Sequence, residues 1–174
     1  MSEDILNAIK TLKSQEKRKF VQSFDLFVNI DNIDMKKPES KFVKDIPLPH
    51  GKGRDVTVCV ISEKSEYNKD FLVRVEKDKK AAKNFCKSYD FFLCEVPLMT
   101  LVGKVLGRYL GPSGKMPKPL PPSMDPTNMK KALEKSVRIK LSNMPVIHAM
   151  VGTENMEDEK IKDNVEKVIE EVKK

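Results

Sequence analysis

The sequence predicts an α/β protein of two domains, one assembled from both chain ends and a second inserted between them. Three observations carry this reading. From Val56 to Leu106, strand-like and helix-like patterns alternate, as in a parallel α/β layer. Gly51 and Gly53, just after Pro49, make a hinge where the charge balance also changes. Nine cations face eight acids over residues 1–50, nineteen face ten over 51–141, and five face eight over 142–174. The tail has lost the positive excess and so belongs with the N-terminal part. Residues 1–50 and 143–174 are thus read as one domain and 51–142 as the insert, with hinge residues His50, Gly51, Gly53 and Asn143.

The chain has 174 residues, 39% of them hydrophobic, enough to bury a core, and its formal net charge is +7. A positive excess in the middle suits an anionic partner, and equally a Lys-rich surface kept soluble by charge. Cys59, Cys86 and Cys94 are odd in number, widely spaced and set among apolar residues. No C-x-x-C occurs and the only histidines are His50 and His148. This pattern favours a reduced, cytoplasmic protein with no metal and no cofactor. The acidic N-terminus is no signal peptide, and no apolar run approaches the roughly 18 residues of a membrane span, so no membrane partner is expected.

In chain order, Glu3 and Asp4 favour the first turn of a helix whose face is Ile5, Leu6, Ile9 and Leu12. The basic cluster Lys17-Arg18-Lys19 leads into a strand where Phe24, Leu26, Val28 and Ile30 alternate with polar residues. Phe27 breaks that alternation and predicts cover on the second face. Phe42 to Leu48 is a second strand, ended by Pro47 and Pro49. Val56 to Ile61 reads as a strand buried on both faces, and Phe71 to Val75 as another. Lys77 to Ser88 is helical, Asp90 to Glu95 a strand, and Pro97 opens a helix carrying Leu98, Leu101, Val102, Val105 and Leu106. Asn128 to Lys135 reads as a short helix, Ser136 to Lys140 and Pro145 to Gly152 as strands. From Glu157 onward a helix turns Ile161, Val165, Val168, Ile169 and Val172 inward.

The stretch from Gly103 to Pro122 stands apart. It holds four of the seven glycines, five of the eleven prolines, and the cations Lys104, Arg108, Lys115 and Lys118 with no acid among them. Prolines remove donors, glycines permit positive φ, and the cations must stay near water or a polyanion. The expectation is a basic, semi-rigid loop held out from the folded body.

Enzymatic readings fare poorly on spacing. A phosphate-binding loop needs a glycine five residues before Gly114-Lys115, where Tyr109 stands, and Ser or Thr after the lysine, where Met116 stands. G-x-G-x-x-G is absent, so a nucleotide-binding enzyme is the weakest alternative. His148 lies on an apolar strand with no nucleophile beside it, which suits a packed histidine. RNA binding has a better footing. Lys17, Arg18 and Lys19 can neutralise phosphates, Ser23 and Asp25 can bond ribose hydroxyls, and Phe20 offers a ring. The bland reading makes Phe20 the first core residue of its strand, and the residues alone leave both open.

The run Gly-Arg-Tyr-Leu-Gly-Pro-Ser-Gly-Lys-Met-Pro-Lys-Pro, Gly107 to Pro119, resembles the family of large-subunit ribosomal protein one, the protein of the mobile side stalk. Lys19-Phe20 before the first strand, the hinge from Leu48 to Gly53, and Ile147 to Gly152 ahead of Asp163-Asn164 agree in order and spacing. The archaeal form is the nearest match. The resemblance implies a split α/β layer domain and an inserted Rossmann-like parallel-sheet domain. It also implies binding to a stalk helix of large-subunit rRNA, a role in releasing deacylated tRNA from the exit site, and often repression of the protein's own mRNA. Its RNA-binding positions fall on Lys19, Phe20, Ser23, Asp25, His148 and Gly152, and at the Asp25 position many members have Glu. Arg108, Lys115 and Lys118 are expected to make secondary RNA contacts, and the free protein is expected to be a monomer. Family members continue past the last helix into a strand with a Thr-Met-Gly motif, whereas this sequence stops at Lys174. Weaker RNA affinity than a full-length relative is the corresponding expectation. The alternative from another class is a regulatory mRNA-binding module acting off the ribosome.

Overall fold

The computed structural model describes residues 2–15, 18–31, 34, 36–37, 40–121, 125–141 and 144–173. In chain order the elements begin with α1 (Ser2–Lys13), β1 (Ser23–Asn29), β2 (Phe42–Pro47) and β3 (Val58–Ile61). Then come α2 (Lys69–Lys77), α3 (Lys79–Ser88), β4 (Phe91–Glu95), α4 (Val96–Ser113) and β5 (Lys118–Leu120). The last four are α5 (Pro126–Glu134), β6 (Ser136–Leu141), β7 (Val146–Thr153) and α6 (Asp158–Lys173). The chain divides into two compact units, Met1–Asp55 with Lys135–Lys174, and Val56–Glu134.

Unit 1 is built on two antiparallel strand pairs, β1 with β7 and β2 with β6. Because β6 pairs with β2 along its whole length, residues from Lys135 onward belong to this unit. The divisions therefore fall at Asp55/Val56 and Glu134/Lys135, where the sequence reading sets them at 50/51 and 142/143. Ile147, Ala149 and Val151 of β7 and Ile139 and Leu141 of β6 face Ile161, Val165 and Val168 of α6 and Ile9 of α1 in one core. Strand periodicity of two and helix spacing of three and four bring exactly these apolar positions together. Lys13 at the end of α1 pairs with Asp158 in the first turn of α6 at 2.6 Å, each charge complementing a helix end.

The segment expected to hinge is fastened into unit 1. Gly51 and Gly53 take φ of 68° and 71°, the left-handed region that glycine tolerates. Asn164, fully buried on α6, donates to the carbonyls of Gly51 (2.7 Å) and Val151 (2.8 Å) and accepts from the His50 N–H (3.2 Å). The His50 ring meets Asp163 at 3.0 Å. The chain thus leaves unit 1 after Asp55 and not at the glycines. Asn143 lies outside the described residues.

Unit 2 is a three-stranded parallel sheet in the order β3-β4-β5. Alternate strand residues serve its two faces. Cys59, Ile61, Phe92 and Cys94 pack against α2, α3 and α4, while Val58, Phe91 and Leu93 pack against Leu133 of α5. This is the α/β layer read from the sequence, with two corrections.

Phe71 to Val75 is not a strand but the body of α2. The Asn68 side chain accepts from the Phe71 N–H and caps the helix, whose buried residues Leu72 and Val75 stand three apart. The stretch Gly103–Pro122 is not a loop held out from the body. Gly103, Gly107 and Gly111 lie inside α4, which ends at Gly114 (φ 68°) with the Gly114 N–H bonded to the Gly111 carbonyl. The buried stripe Leu98, Val102, Val105, Leu106 and Leu110 carries the helix through three glycines that each cost about 1 kcal/mol of propensity. Pro119 then sits in β5 at the sheet's edge, where a missing N–H is tolerated, and Leu120 is buried. Pro122 lies outside the described residues. No helix among those described is long and apolar enough to cross a membrane.

Candidate nucleic-acid interface

Of the sequence-predicted site residues, Ser23, Asp25 and His148 lie on the outer face of the β1–β7 pair, and Arg18, Lys19 and Phe20 on the segment leading into β1. In β1, Phe24, Leu26 and Val28 lean on the core while Ser23, Asp25, Phe27 and Asn29 are exposed. Antiparallel pairing sets Phe27 opposite His148 and Asp25 opposite Met150, with a bulge between Phe24 and Asp25. The Ser23 hydroxyl donates to Asp25 Oδ2 at 3.2 Å, and His148 Nε2 stands 3.5 Å from Asp25 Oδ1. Ser23 and Asp25 of β1 are thereby joined by the sequence-distant His148 in one polar cluster, open to solvent.

Phe20 is 61% exposed and precedes the strand, which begins only at Ser23. It is therefore not the first core residue of β1, and the cations Arg18 and Lys19 that precede it in sequence are exposed as well. Lys17 lies outside the described residues. Gly152 is buried opposite Phe24, where a Cβ would come within 3.0 Å of Ile161 Cγ1 and 3.2 Å of Met156 Sδ. Its contribution is the close approach of β7 to α6. Beside this face, a cleft of about 270 Å³ opens between the end of α1 and the start of β1, lined among others by Gln15, Gln22, Ser23 and Asp25. Gln22 is held to Glu154 by a pair of hydrogen bonds, its N–H to Oε1 at 3.1 Å and its carbonyl accepting the Glu154 N–H at 3.0 Å.

The face contains a residue that the sequence reading misplaced. Phe27 is mostly uncovered on its side of the strand. It is 66% exposed and stacked on His148, ring centroids 4.5 Å apart and planes 18° from parallel. Its phase with Asp25 and Asn29 was the available signal.

The candidate secondary contacts separate in unit 2. Arg108 is exposed on α4, where Gly103, Gly107 and Gly111 have nothing within 4 Å of the place a Cβ would occupy. Lys118 is half-buried on β5. Lys115 is turned inward, its ammonium donating to the carbonyls of Cys86 (3.2 Å) and Tyr89 (2.6 Å) at the end of α3. A cation there satisfies orphan carbonyls and complements the helix dipole. Among the described residues no group of three or more His, Cys, Asp or Glu is placed to hold a metal ion.

Fold and face together define a split α/β protein with a second, parallel α/β unit inserted between its strands. Residues 12–174 match the model of the ribosomal protein L1p/L10e family, and the chain belongs to that family. It is 36% identical to the large ribosomal subunit protein uL1 of Methanothermobacter thermautotrophicus over 185 aligned positions, covering 99% of this chain and 87% of that protein. With uL1 of Pyrococcus horikoshii it shares 41% identity over 180 positions, 95% of this chain and 81% of that one. With uL1 of Archaeoglobus fulgidus the identity is 37% over 175 positions, covering 94% and 81%. The relatives are archaeal ribosomal proteins and not enzymes, which sets aside the nucleotide-binding enzyme reading.

Proposed function

We propose that this chain is a structural RNA-binding component of the large ribosomal subunit, cytoplasmic with the ribosome, which grips an rRNA stalk helix by the outer face of β1 and β7. One observation carries the reading. Phe20, next after Lys19 in sequence, stands exposed while Ser23, Asp25 and His148 form a solvent-facing cluster on the adjoining strands. Cations for phosphate, hydroxyl and carboxylate groups for ribose, and a ring for a sugar or base are the groups an RNA backbone calls for. Phe20→Ala, checked for folding, is expected to weaken binding of a stalk-helix transcript. Unchanged affinity in the folded variant removes Phe20 from the site.

The finer roles rest on the same chemistry. Release of deacylated tRNA from the exit site falls to the exposed Arg108 face of α4, with Lys118 secondary. Repression of the protein's own mRNA uses the unit 1 face, so that rRNA and mRNA compete for it. Ribosome sedimentation separates this from a module acting only off the ribosome on mRNA. A chain never found with large subunits favours the latter.

A further inference from the structure

We infer that Phe27 and His148 form a stacking platform for one unpaired nucleobase, next to the backbone-gripping residues and distinct from Phe20. The inference rests on the RNA-binding reading above and names the part of the RNA that this face reads.

Phe27 is 66% exposed in the middle of a regular strand, and His148 is exposed opposite it on β7. A phenylalanine that only completed a core would point to the other face, where Phe24, Leu26 and Val28 lie. The two rings are stacked, centroids 4.5 Å apart and planes within 18° of parallel, so each covers one face of the other and the pair, exposed on both strands, offers an outer ring face to a base. Asp25 Oδ1 lies 3.5 Å from His148 Nε2 at the edge of the pair, and the Ser23 hydroxyl donates to Asp25 Oδ2 at 3.2 Å.

Its surroundings decide the occupant. Asp25 and Asn29 flank Phe27 along β1, and both are exposed polar residues. On β7 the residues in phase with His148, Val146 and Met150, are half-buried, so the exposed apolar area is concentrated in the ring pair, which suits a base better than the continuous hydrophobic patch a protein helix needs. The cations Arg18 and Lys19, exposed on the segment entering the same strand, supply charge complementary to the phosphates on either side of it. Aromatic side chains on a β-sheet surface stack unpaired RNA bases in this manner, and stacking is tolerant of base identity. The platform therefore selects an unstacked base in a loop or bulge over a paired one.

The test uses the full chain, a large-subunit rRNA stalk transcript, and copies carrying 2-aminopurine at single unpaired positions. Phe27→Leu is expected to bind about tenfold more weakly, the weight of one base–aromatic stack. Its melting temperature should hold, and the salt dependence of affinity should keep its slope, since no charge is lost. Phe27→Tyr should restore affinity, and the fluorescence quenching of one 2-aminopurine by the parent protein should vanish with Phe27→Leu. Wild-type affinity for Phe27→Leu alongside weakened Phe20→Ala overturns the platform and leaves the RNA-binding role standing. A loss in Phe27→Leu that tracks a lower melting temperature, or that Phe27→Tyr fails to restore, also overturns it. Failure of the parent chain to bind the transcript overturns both.

Discussion

The side-chain amide of Asn164 donates to the carbonyl of Gly51 at 2.7 Å, across more than a hundred residues of intervening sequence. Asn164 is fully buried, and the same amide group bonds Val151 and accepts from His50, so one side chain ties α6 to β7 and to the segment after β2. Asn164→Ala leaves these backbone groups without their partner. At roughly 1–3 kcal/mol for a buried unsatisfied group, the expected loss is about 2–4 kcal/mol in unit 1, read as a lower chemical-denaturation midpoint. Asn164→Asp tests the polarity. It retains the acceptor for His50 but gives up two donors and buries a charge, and should be no more stable than the alanine variant.

The two glycines held by that network should respond differently to substitution. Both have φ near +70°, so alanine at either is strained by about 1 kcal/mol. At Gly51 an added Cβ meets nothing closer than 3.9 Å, from Lys135. At Gly53 it would come within 2.5 Å of Thr153 Oγ1 and 2.6 Å of Met156 Sδ. Gly53→Ala should therefore cost about 1–3 kcal/mol more than Gly51→Ala, in the range of overpacking a filled site. Thermal melts of the two single variants, side by side, check the difference.

How much of this was legible in the sequence depended on whether neighbours or distant contacts decide the conformation. Two of the three strands of unit 2 could be read, because Val58–Ile61 and the first four residues of Phe91–Glu95 are continuous apolar runs, whereas β5 (Lys118–Leu120) was hidden in the stretch read as a loop. α2 could not, because Phe71 to Val75 is too short to separate a period of two from one of 3.6, and the Asn68 cap was the deciding signal. The glycines and prolines of 103–122 misled by composition. Their helix persists because apolar positions three and four apart continue through them to Leu110, and composition is blind to spacing. On the candidate face, Ser23 and Asp25 could be named from type and order. Their proximity to His148 depends on the β1–β7 register, a long-range pairing that no local pattern states.

Lys115 should behave as a structural residue, unlike Arg108, though both are cations of the same stretch. Its ammonium donates to the Cys86 and Tyr89 carbonyls, so Lys115→Met strands acceptors at the end of α3. Unit 2 is expected to lose about 1–3 kcal/mol, as for hydrogen bonds to a charged group. Arg108→Gln, on an exposed helix position, should leave stability within about 0.5 kcal/mol and lower tRNA affinity with a shallower salt dependence. Equilibrium unfolding and tRNA binding at two salt concentrations, on both variants, give a crossed pattern. A Lys115 variant that is fully stable but defective in tRNA binding contradicts the inward placement.

The buried thiols set an alkaline limit on unit 2. Burial pushes the Cys59 thiol up to about 12, with neighbouring Cys94 and Cys86 adding to the effect. Burial likewise raises Cys86 to about 11, against the opposing pull of Lys115, and Cys94 to about 11, with Glu95 contributing. All three are free cysteines. An unfolded thiol ionises near 8.5, so above that pH the unfolded chain releases protons that the folded chain retains. Fewer protons bound in the unfolded state make stability fall as pH rises. The stabilisation is fully present below about pH 8.5 and is lost progressively as pH climbs through the folded values of about 11 to 12. Denaturation midpoints should therefore fall between pH 8 and pH 11, and Cys59→Ala should flatten the decline. Native protein at pH 8 should also resist alkylation by iodoacetamide at all three cysteines until denaturant opens unit 2, because the reactive thiolate is scarce and buried. Rapid labelling of any one of them under native conditions would show that its part of the core opens on the labelling timescale.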